Sequence, residues 1–145
     1  MEKNTTILLI RREYPKEVIP LIEKAKNSIK IIVYEWRWYE NQLGSSIQLF
    51  NNAIIRARKR GVEVKAVLKN QKIAEKLKAQ KIWVKEVDFS KTLHVKLIML
   101  DNEIVILGSH NFTLNAFHIN DEVSVIIKSP EIVEKLLKHF GDYFT

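Results

Sequence analysis

Two runs of aliphatic and β-branched residues lie one after the other within residues 93–112, and the triplet at 101–103 separates them. Runs of this kind on either side of an Asp-Asn pair predict a β-hairpin. If the first two residues of the triplet form a two-residue turn, Ser109 lies opposite His94. A four-residue turn would keep that grouping, whereas a three-residue loop with a bulge could break it.

Side chains on one face of this hairpin have the chemistry of a binding site. His94 and Lys96 are two residues apart and therefore point the same way along a strand. The predicted register adds Ser109 and Asn111 to their face. An imidazole, an ammonium, a hydroxyl and an amide together favour an oxyanion. Phosphate fits best, because lysine supplies a point charge and the neutral donors bind the remaining oxygens.

The spacing of these residues resembles the HKD signature of the phospholipase D superfamily, which is His-x-Lys, four residues, Asp, six residues, then Gly-Ser-x-Asn. Every spacing is met, by His94, Lys96, Asp101, Gly108, Ser109 and Asn111. Within the superfamily the chain is similar to the small endonuclease branch, whose members carry a single motif. In that branch a glutamate follows the motif on the next strand, and Glu122 occupies that place here.

The resemblance implies how these residues would act on a phosphodiester without a metal or another cofactor. Two motifs meet at a two-fold axis in the superfamily, where one histidine forms a phosphohistidine and the other is the general acid. Because this chain has one motif, the resemblance implies a homodimer with one shared site, in which His94 takes both roles. Lys96, Asn111 and Ser109 would bind the non-bridging oxygens. Glu122 would fix the tautomer of His94.

Two residues of the motif are expected to be structural. Asp101 falls at the far end of the hairpin, where a turn or ion-pair role is expected, and Gly108 fits a bend or a close backbone approach. The other histidines, His110, His118 and His139, match no familiar ligand spacing, and we predict no metal site.

The length of 145 residues predicts one domain over residues 1–145, too short for two motif copies with their scaffolds. There is no cysteine, which excludes disulfides and thiolate metal sites and is typical of a reducing compartment. The first residues lack an apolar run long enough for a signal peptide, and no stretch reaches the length of a membrane span. We therefore expect a cytoplasmic protein that does not bind membranes.

The formal net charge of +7 favours a polyanionic partner, DNA first and RNA as the alternative. Residues 56–85 hold eleven Lys and Arg against two acidic residues, whereas residues 101–145 hold three Lys against seven acidic residues. This asymmetry favours a directed binding face, although any single lysine of residues 72–81 could equally well only solvate a helix.

An aromatic and polar segment, residues 36–42, follows an apolar strand. Aromatic side chains interleaved with arginine can stack on bases and hold phosphates. Packing in the core is the favoured interpretation for Trp36, and both interpretations stay open for Trp38. The residues expected to contact nucleic acid are Arg37, Trp38, Arg58, Lys59 and Lys91.

Hydrophobic patterning predicts an alternation of strands and helices. Besides the hairpin, strands are predicted at 5–10, 29–36, 62–68, 82–87 and 122–127, and helices from Pro15, at 47–60, at 71–80 and after the N-cap Ser129. This order predicts an α/β fold with a mixed β-sheet sandwiched between helices, the α/β/α layers that the resemblance also implies.

Metal-independent hydrolysis of DNA is therefore the favoured function, and two others stay open. A phospholipase or phosphatidyltransferase would want an apolar entry surface or a membrane anchor, and neither is visible. A nucleic-acid-binding subunit of a larger nuclease assembly would retain the motif without catalysis. Intact His94, Lys96 and Asn111 argue against this last function.

Overall fold

A computed structural model of the protein describes residues 5–88, 90 and 92–144. The strands are β1 (Thr5–Ile10), β2 (Ser28–Val33), β3 (Glu63–Leu68), β4 (Trp83–Glu86), β5 (Lys96–Leu100), β6 (Ile104–Gly108) and β7 (Val123–Lys128). The α-helices are α1 (Glu13–Lys24), α2 (Ser46–Lys59), α3 (Gln71–Ala79) and α4 (Pro130–Gly141). A π-helix spans Asn115–Ile119, and a 3₁₀ turn spans Asp142–Phe144. The predicted order of elements is confirmed, although β2 ends at Val33 instead of reaching residue 36.

The strands form one sheet in the order β1-β7-β6-β5-β2-β3-β4. β2, β3 and β4 are parallel, because α2 and α3 provide the crossovers that parallel neighbours need. All other neighbouring strands are antiparallel. The predicted mixed sheet is confirmed.

Helices cover both faces of this sheet. On one face α1, α2 and α3 bury side chains such as Val18, Phe50 and Leu77. On the other face α4 buries Val133 and Phe140 against β2, β3, β5 and β6. Each fully buried side chain of this size contributes about 1.5–3 kcal/mol. The predicted α/β/α sandwich is thus confirmed. Within the described ranges, no helix has the length and apolar character needed to cross a membrane.

The register predicted from a two-residue turn is wrong by one residue, and the ladder follows the alternative of three residues with a bulge. Glu103 N donates to Leu100 O at 3.0 Å, and Asp101 and Asn102 both have positive φ, so a two-residue turn does form. The ladder, however, pairs Leu100 with Ile104, so Glu103 is an additional, unpaired residue. Extending this register places Lys96 opposite Gly108 and removes the expected pairing of His94 with Ser109.

Candidate active site at the open end of the hairpin

Four neighbouring strands end at one edge of the sheet, at the end of the hairpin away from its turn. Val33 closes β2, Lys96 opens β5, Gly108 closes β6 and Val123 opens β7. We call this edge the open end. Segments that leave a rigid sheet are where proteins usually place binding and catalytic side chains.

His94 and Lys96 contact each other at the open end. The Lys96 Nζ lies 3.1 Å from Nδ1 and 3.3 Å from Nε2 of His94. Both groups also contact Tyr34, whose ring centroid is 5.2 Å from the imidazole centroid and 5.6 Å from the ammonium nitrogen. His94 is exposed and Lys96 is half-buried. A ligand in solvent can therefore reach the imidazole.

Asn111 reaches the open end because the chain crosses from β6 to the continuation of β2. Phe112 N donates to Glu35 O at 3.0 Å, and Arg37 N donates to Phe112 O at 2.9 Å. Since β5 lies between β6 and β2, this crossing passes the first residue of β5, Lys96. Asn111 Oδ1 accepts a hydrogen bond from Glu35 N at 3.0 Å. The amide is therefore fixed, and none of the described residues accepts from its Nδ2.

Gly108 and Ser109 lie next to the first residues of β7 at the open end. Ser109 N donates to Val123 O, and Val123 N donates to Ser109 Oγ, both at 3.0 Å. The hydroxyl oxygen thus takes the place of a backbone carbonyl in the ladder, and its hydrogen remains available to a ligand. Gly108 lies so close to Ser124 that a Cβ at this position would lie 2.6 Å from the Ser124 Cβ.

Glu122 precedes β7 and influences the open end electrostatically. Burial lowers the pKa of the Lys96 ammonium, and the negative charge of Glu122 opposes this shift by favouring the charged form. Glu122 Oε2 accepts from Asn120 Nδ2 at 3.1 Å. Within the described part of one chain, Glu122 makes no hydrogen bond to His94, so the expected tautomer control would require another arrangement of the two side chains.

His110 has a structural position that the sequence did not reveal. It is fully buried, with Nδ1 2.7 Å from Ser124 Oγ and Nε2 2.8 Å from Arg11 O. Its ring stacks on Tyr14 with 4.5 Å between centroids. Burial lowers the pKa of His110, although the hydrogen bond to Arg11 and the charge of Glu122 oppose the shift. Because a carbonyl must accept from Nε2–H, the neutral ring has its proton there, and Ser124 donates to Nδ1.

Its place in the sequence between the motif residues Ser109 and Asn111 could have indicated that His110 lies close to the site. The backbone of Arg11 connects it to another site residue, since Arg11 N donates to Glu122 O at 2.8 Å. His110 therefore helps to place both ends of the loop between β6 and β7. Across residues 5–88, 90 and 92–144, no three His, Cys, Asp or Glu side chains are grouped so as to hold a metal ion.

Asp101 lies at the turn, at the far end of β5 from Lys96. Its carboxylate accepts hydrogen bonds from the backbone N–H groups of Lys26, Asn27 and Ser28 at 2.7–3.1 Å. Burial alone would raise the pKa of Asp101, but these three hydrogen bonds and the charge of Lys26 lower it. The arrangement ties the α1–β2 loop to the hairpin.

The residues expected to contact nucleic acid are dispersed. Arg37 is exposed near the open end and pairs with Glu35, and Trp38 is half-buried against the core. Arg58 and Lys59 end α2, at the opposite end of the sheet, so they do not belong to the site around His94. Lys91 lies outside the described residues. Trp36 is buried, as the favoured interpretation predicted, and its Nε1 donates to Asn51.

Comparisons with known proteins place this geometry in a family. The profile of the family described as "Cardiolipin synthase, PLD-like domain" matches residues 18–143. A phospholipase D of Rickettsia typhi is 31% identical over 131 residues, which cover 86% of this chain and 60% of the relative. The chain thus spans about three fifths of the length of that curated relative.

Solved structures agree with this assignment. The phospholipase D family member Nuc from Salmonella typhimurium superposes with a TM-score of 0.82 at 27% identity, covering 98% of this chain and 95% of Nuc. NucT from Helicobacter pylori has the same fold, with a TM-score of 0.79 at 20% identity, covering 98% of this chain and 96% of NucT. Members of the phospholipase D superfamily act on phosphodiester bonds. The profile match, which spans most of the chain, shows that the chain belongs to the phospholipase D superfamily.

Proposed function

We propose that the protein is a metal-independent nuclease that hydrolyses DNA, with RNA as the alternative substrate. The observation that carries this proposal is the exposed imidazole of His94 in contact with the Lys96 ammonium, at the end of the sheet where Asn111 Nδ2 donates to none of the described residues. A nucleophile, a cation and a neutral donor at one edge match what a phosphoryl group needs in its transition state.

The proposed reaction needs two chains. The His94 imidazole of one subunit attacks phosphorus, the bond to the leaving oxygen breaks, and His94 of the second subunit gives that oxygen a proton. Water then attacks the phosphohistidine, the second imidazole takes the proton, and the first imidazole is released. One ring cannot attack and protonate on opposite sides of phosphorus, so we infer a two-fold homodimer with a single shared site. Lys96, Ser109 and Asn111 bind the non-bridging oxygens in this scheme.

In the same scheme Glu122 stabilises the charged imidazole of one subunit. Asn120 donates to Oε2 of Glu122, none of the described residues donates to its Oε1, and the charge of Glu122 already acts on Lys96. The net charge of +7 supports nucleic acid as the substrate, because each phosphate that a lysine or arginine neutralises raises the affinity of the protein for nucleic acid.

Lipid phosphodiesters are a second candidate substrate class. The matching family description names cardiolipin synthase, and the Rickettsia relative is a phospholipase D. A phospholipase or phosphatidyltransferase would use the same imidazole chemistry on a different substrate. A subunit that only binds nucleic acid in a larger nuclease assembly is the third candidate.

One set of assays separates these candidates. We expect wild-type protein to cleave plasmid and single-stranded DNA in excess EDTA, and His94→Ala to lose cleavage while still binding DNA. Loss of activity on chelation would contradict the metal-independent mechanism. Hydrolysis of phosphatidylcholine vesicles without DNA cleavage would make the enzyme a phospholipase, and binding without either activity would leave the subunit role.

The shared site has its own test. When equal amounts of His94→Ala and wild-type protein exchange subunits, activity should fall to about half that of the wild-type protein alone, because mixed dimers lack one of two required rings. Unchanged activity after verified exchange would show that each subunit works independently.

A further inference from the structure

A polar cavity of about 260 Å³ opens beside Asn111, and none of the roles proposed above uses it. Its walls include Glu35, Arg37 and Tyr39 after β2, and Thr113, Asn115 and Asn120 after β6. We propose that this cavity, the base pocket, binds the heterocyclic base of the nucleotide next to the scissile phosphate. The inference rests on the proposed function and names the part of the substrate that the enzyme recognises.

The base pocket adjoins the residues assigned to the reaction at two points. Asn111 forms part of its wall and holds Glu35 N through Oδ1. Asn120 forms another part and donates to Glu122. Moreover, Glu35 directly follows Tyr34, whose ring contacts both His94 and Lys96. A nucleotide whose phosphate contacts the imidazole would thus have this cavity at the same end of the sheet.

The chemistry of the walls suits a base better than another phosphate or an acyl chain. Arg37 Nε and Nη2 both donate to Oε1 of Glu35, at 3.0 and 2.8 Å. Within the described residues, Glu35 Oε2 and Arg37 Nη1 stay available as a neighbouring acceptor and donor. Base edges present donors and acceptors side by side in the same way. A phosphate would meet the carboxylate of Glu35, and an acyl chain would leave both groups unsatisfied.

The wall formed by residues 36–39 is held in place before any ligand binds. The buried Asn51 accepts from Trp36 Nε1 at 2.6 Å and donates to Arg37 O at 3.1 Å. The buried Gln48 accepts from Tyr39 N at 2.9 Å through Oε1. Because residues 36–39 are already ordered in the folded protein, little conformational entropy would be lost when a base binds here.

The facing wall is equally well connected. Thr113 Oγ1 accepts from Ala116 N at 3.0 Å, and Asn120 N donates to Asn115 O at 2.8 Å. These bonds flank the π-helix at 115–119, a rare conformation that occurs often at functional sites. Asn115 is exposed at this wall, and none of the described residues forms a hydrogen bond with its side-chain amide.

A base can enter such a cavity only when it leaves its stack. Extruding a paired base costs a few kcal/mol, whereas an unpaired base avoids most of that cost. The base pocket therefore selects single-stranded nucleic acid, or unpaired positions in a duplex, over continuous duplex.

The test compares two esters that release the same p-nitrophenolate. One is thymidine p-nitrophenyl phosphate, as both its 5′ and 3′ esters, and the other is methyl p-nitrophenyl phosphate, which has no base. For wild-type protein we expect a higher kcat/KM on at least one thymidine ester. Asn115→Ala should lower the thymidine-to-methyl ratio of kcat/KM by about 3- to 10-fold, the value of one hydrogen bond. Asn27→Ala, a matched exposed asparagine at the turn end, should leave the ratio unchanged.

The outcomes separate the pocket from the active site. A ratio that stays at the wild-type value in both Asn115→Ala and Arg37→Ala, with hydrolysis intact, would overturn the base pocket and leave the nuclease proposal standing. If Asn115→Ala lowered kcat/KM for glyceryl p-nitrophenyl phosphate as strongly as for the thymidine ester, the pocket would not be selective for a base. Hydrolysis of neither nucleic acid nor either ester by wild-type protein would instead overturn the proposed function itself.

Discussion

The two ends of the β5–β6 hairpin carry residues of the same motif but treat their polar groups in opposite ways. At the turn, Asp101 accepts from three backbone N–H groups, and Asn102 Oδ1 accepts from Lys30 Nζ at 2.8 Å. At the open end, the imidazole of His94 is exposed and the amide of Asn111 retains a donor. Satisfied polar groups stabilise a fold, whereas groups held in place with spare capacity can bind a ligand.

The largest difference between the two ends should be found by removing His94. His94→Ala removes both the proposed nucleophile and the proposed acid, so we expect kcat/KM on a phosphodiester to fall by about 10⁴-fold or more. Because the side chain is exposed, the free energy of unfolding should change by less than about 0.5 kcal/mol. Steady-state kinetics and urea unfolding measure the two quantities. If the variant is stable and its kcat/KM falls much less than about 10⁴-fold, His94 is not a catalytic residue.

Replacing Gly108 tests how closely β6 and β7 pack at the open end. Gly108→Ala would bring a Cβ into overlap with the Cα and Cβ of Ser124, in the adjacent strand. Displacing backbone in a packed sheet should cost about 1–3 kcal/mol and move Ser109 and Val123 apart. Gly44→Ala is the matched control, since a Cβ there meets no atom within 4 Å. Equal unfolding midpoints for the two variants would show that the strands adjust freely.

Removing the carboxylate at the turn should affect stability rather than chemistry. Asp101→Ala leaves three backbone donors without their acceptor, two of them exposed and able to bind water. We expect a loss of about 2 kcal/mol in the free energy of unfolding, with a near-normal kcat/KM per folded molecule. Asp101→Asn keeps one acceptor oxygen and should recover part of the loss. A large fall in kcat/KM for folded Asp101→Asn would contradict the division between the two ends.

Much of the fold was predictable because its signals are local. The apolar runs of β1, β3 and β7, the cap at Ser129 and the end of α2 near residue 60 all depend on neighbouring residues, and the predicted elements agree with the structure. The spacing of His94 and Lys96 was likewise visible. Strand β2 was predicted too long because its last apolar residues leave the ladder, with Trp36 pairing with Phe112 instead.

The register and the site geometry depend on contacts between distant residues. Asp101 is bound by residues 26–28 and not by its own turn, so turn chemistry alone could not locate the unpaired Glu103. Asn111 meets Glu35, 76 positions away, and His110 meets Arg11, 99 positions away. The register of the two-residue turn predicted that Asn111 and Lys96 would share a face, and that register is wrong by one residue. The crossing from β6 to β2 is what brings Asn111 past Lys96.

The charge on Asp101 also makes the turn sensitive to pH. Its pKa is lowered in the folded chain, so the stability it provides is fully present above the unfolded-state pKa of about 3.9 and is lost as the pH falls through the folded pKa. The difference in free energy of unfolding between wild type and Asp101→Asn should therefore shrink as the pH falls below about 4. Urea unfolding from pH 6 to pH 2 measures it. A difference that stays constant across this range would mean that hydrogen bonding, and not charge, accounts for the stabilisation.

The smallest effect is expected at the far end of α2. Lys59 lies at the opposite end of a sheet whose strands are about 20 Å long, so a short oligonucleotide bound at the open end should not reach it. Lys59→Gln should leave the salt dependence of oligonucleotide binding unchanged. Lys96→Gln, at the open end, should reduce the slope of log K against log salt by about one, because Lys96 is the cation proposed to bind the phosphate. Fluorescence anisotropy over a salt series measures both variants. If Lys59→Gln reduced the slope as much as Lys96→Gln does, the strand would have to run along the basic residues of α2, and the binding face would include both ends of the sheet.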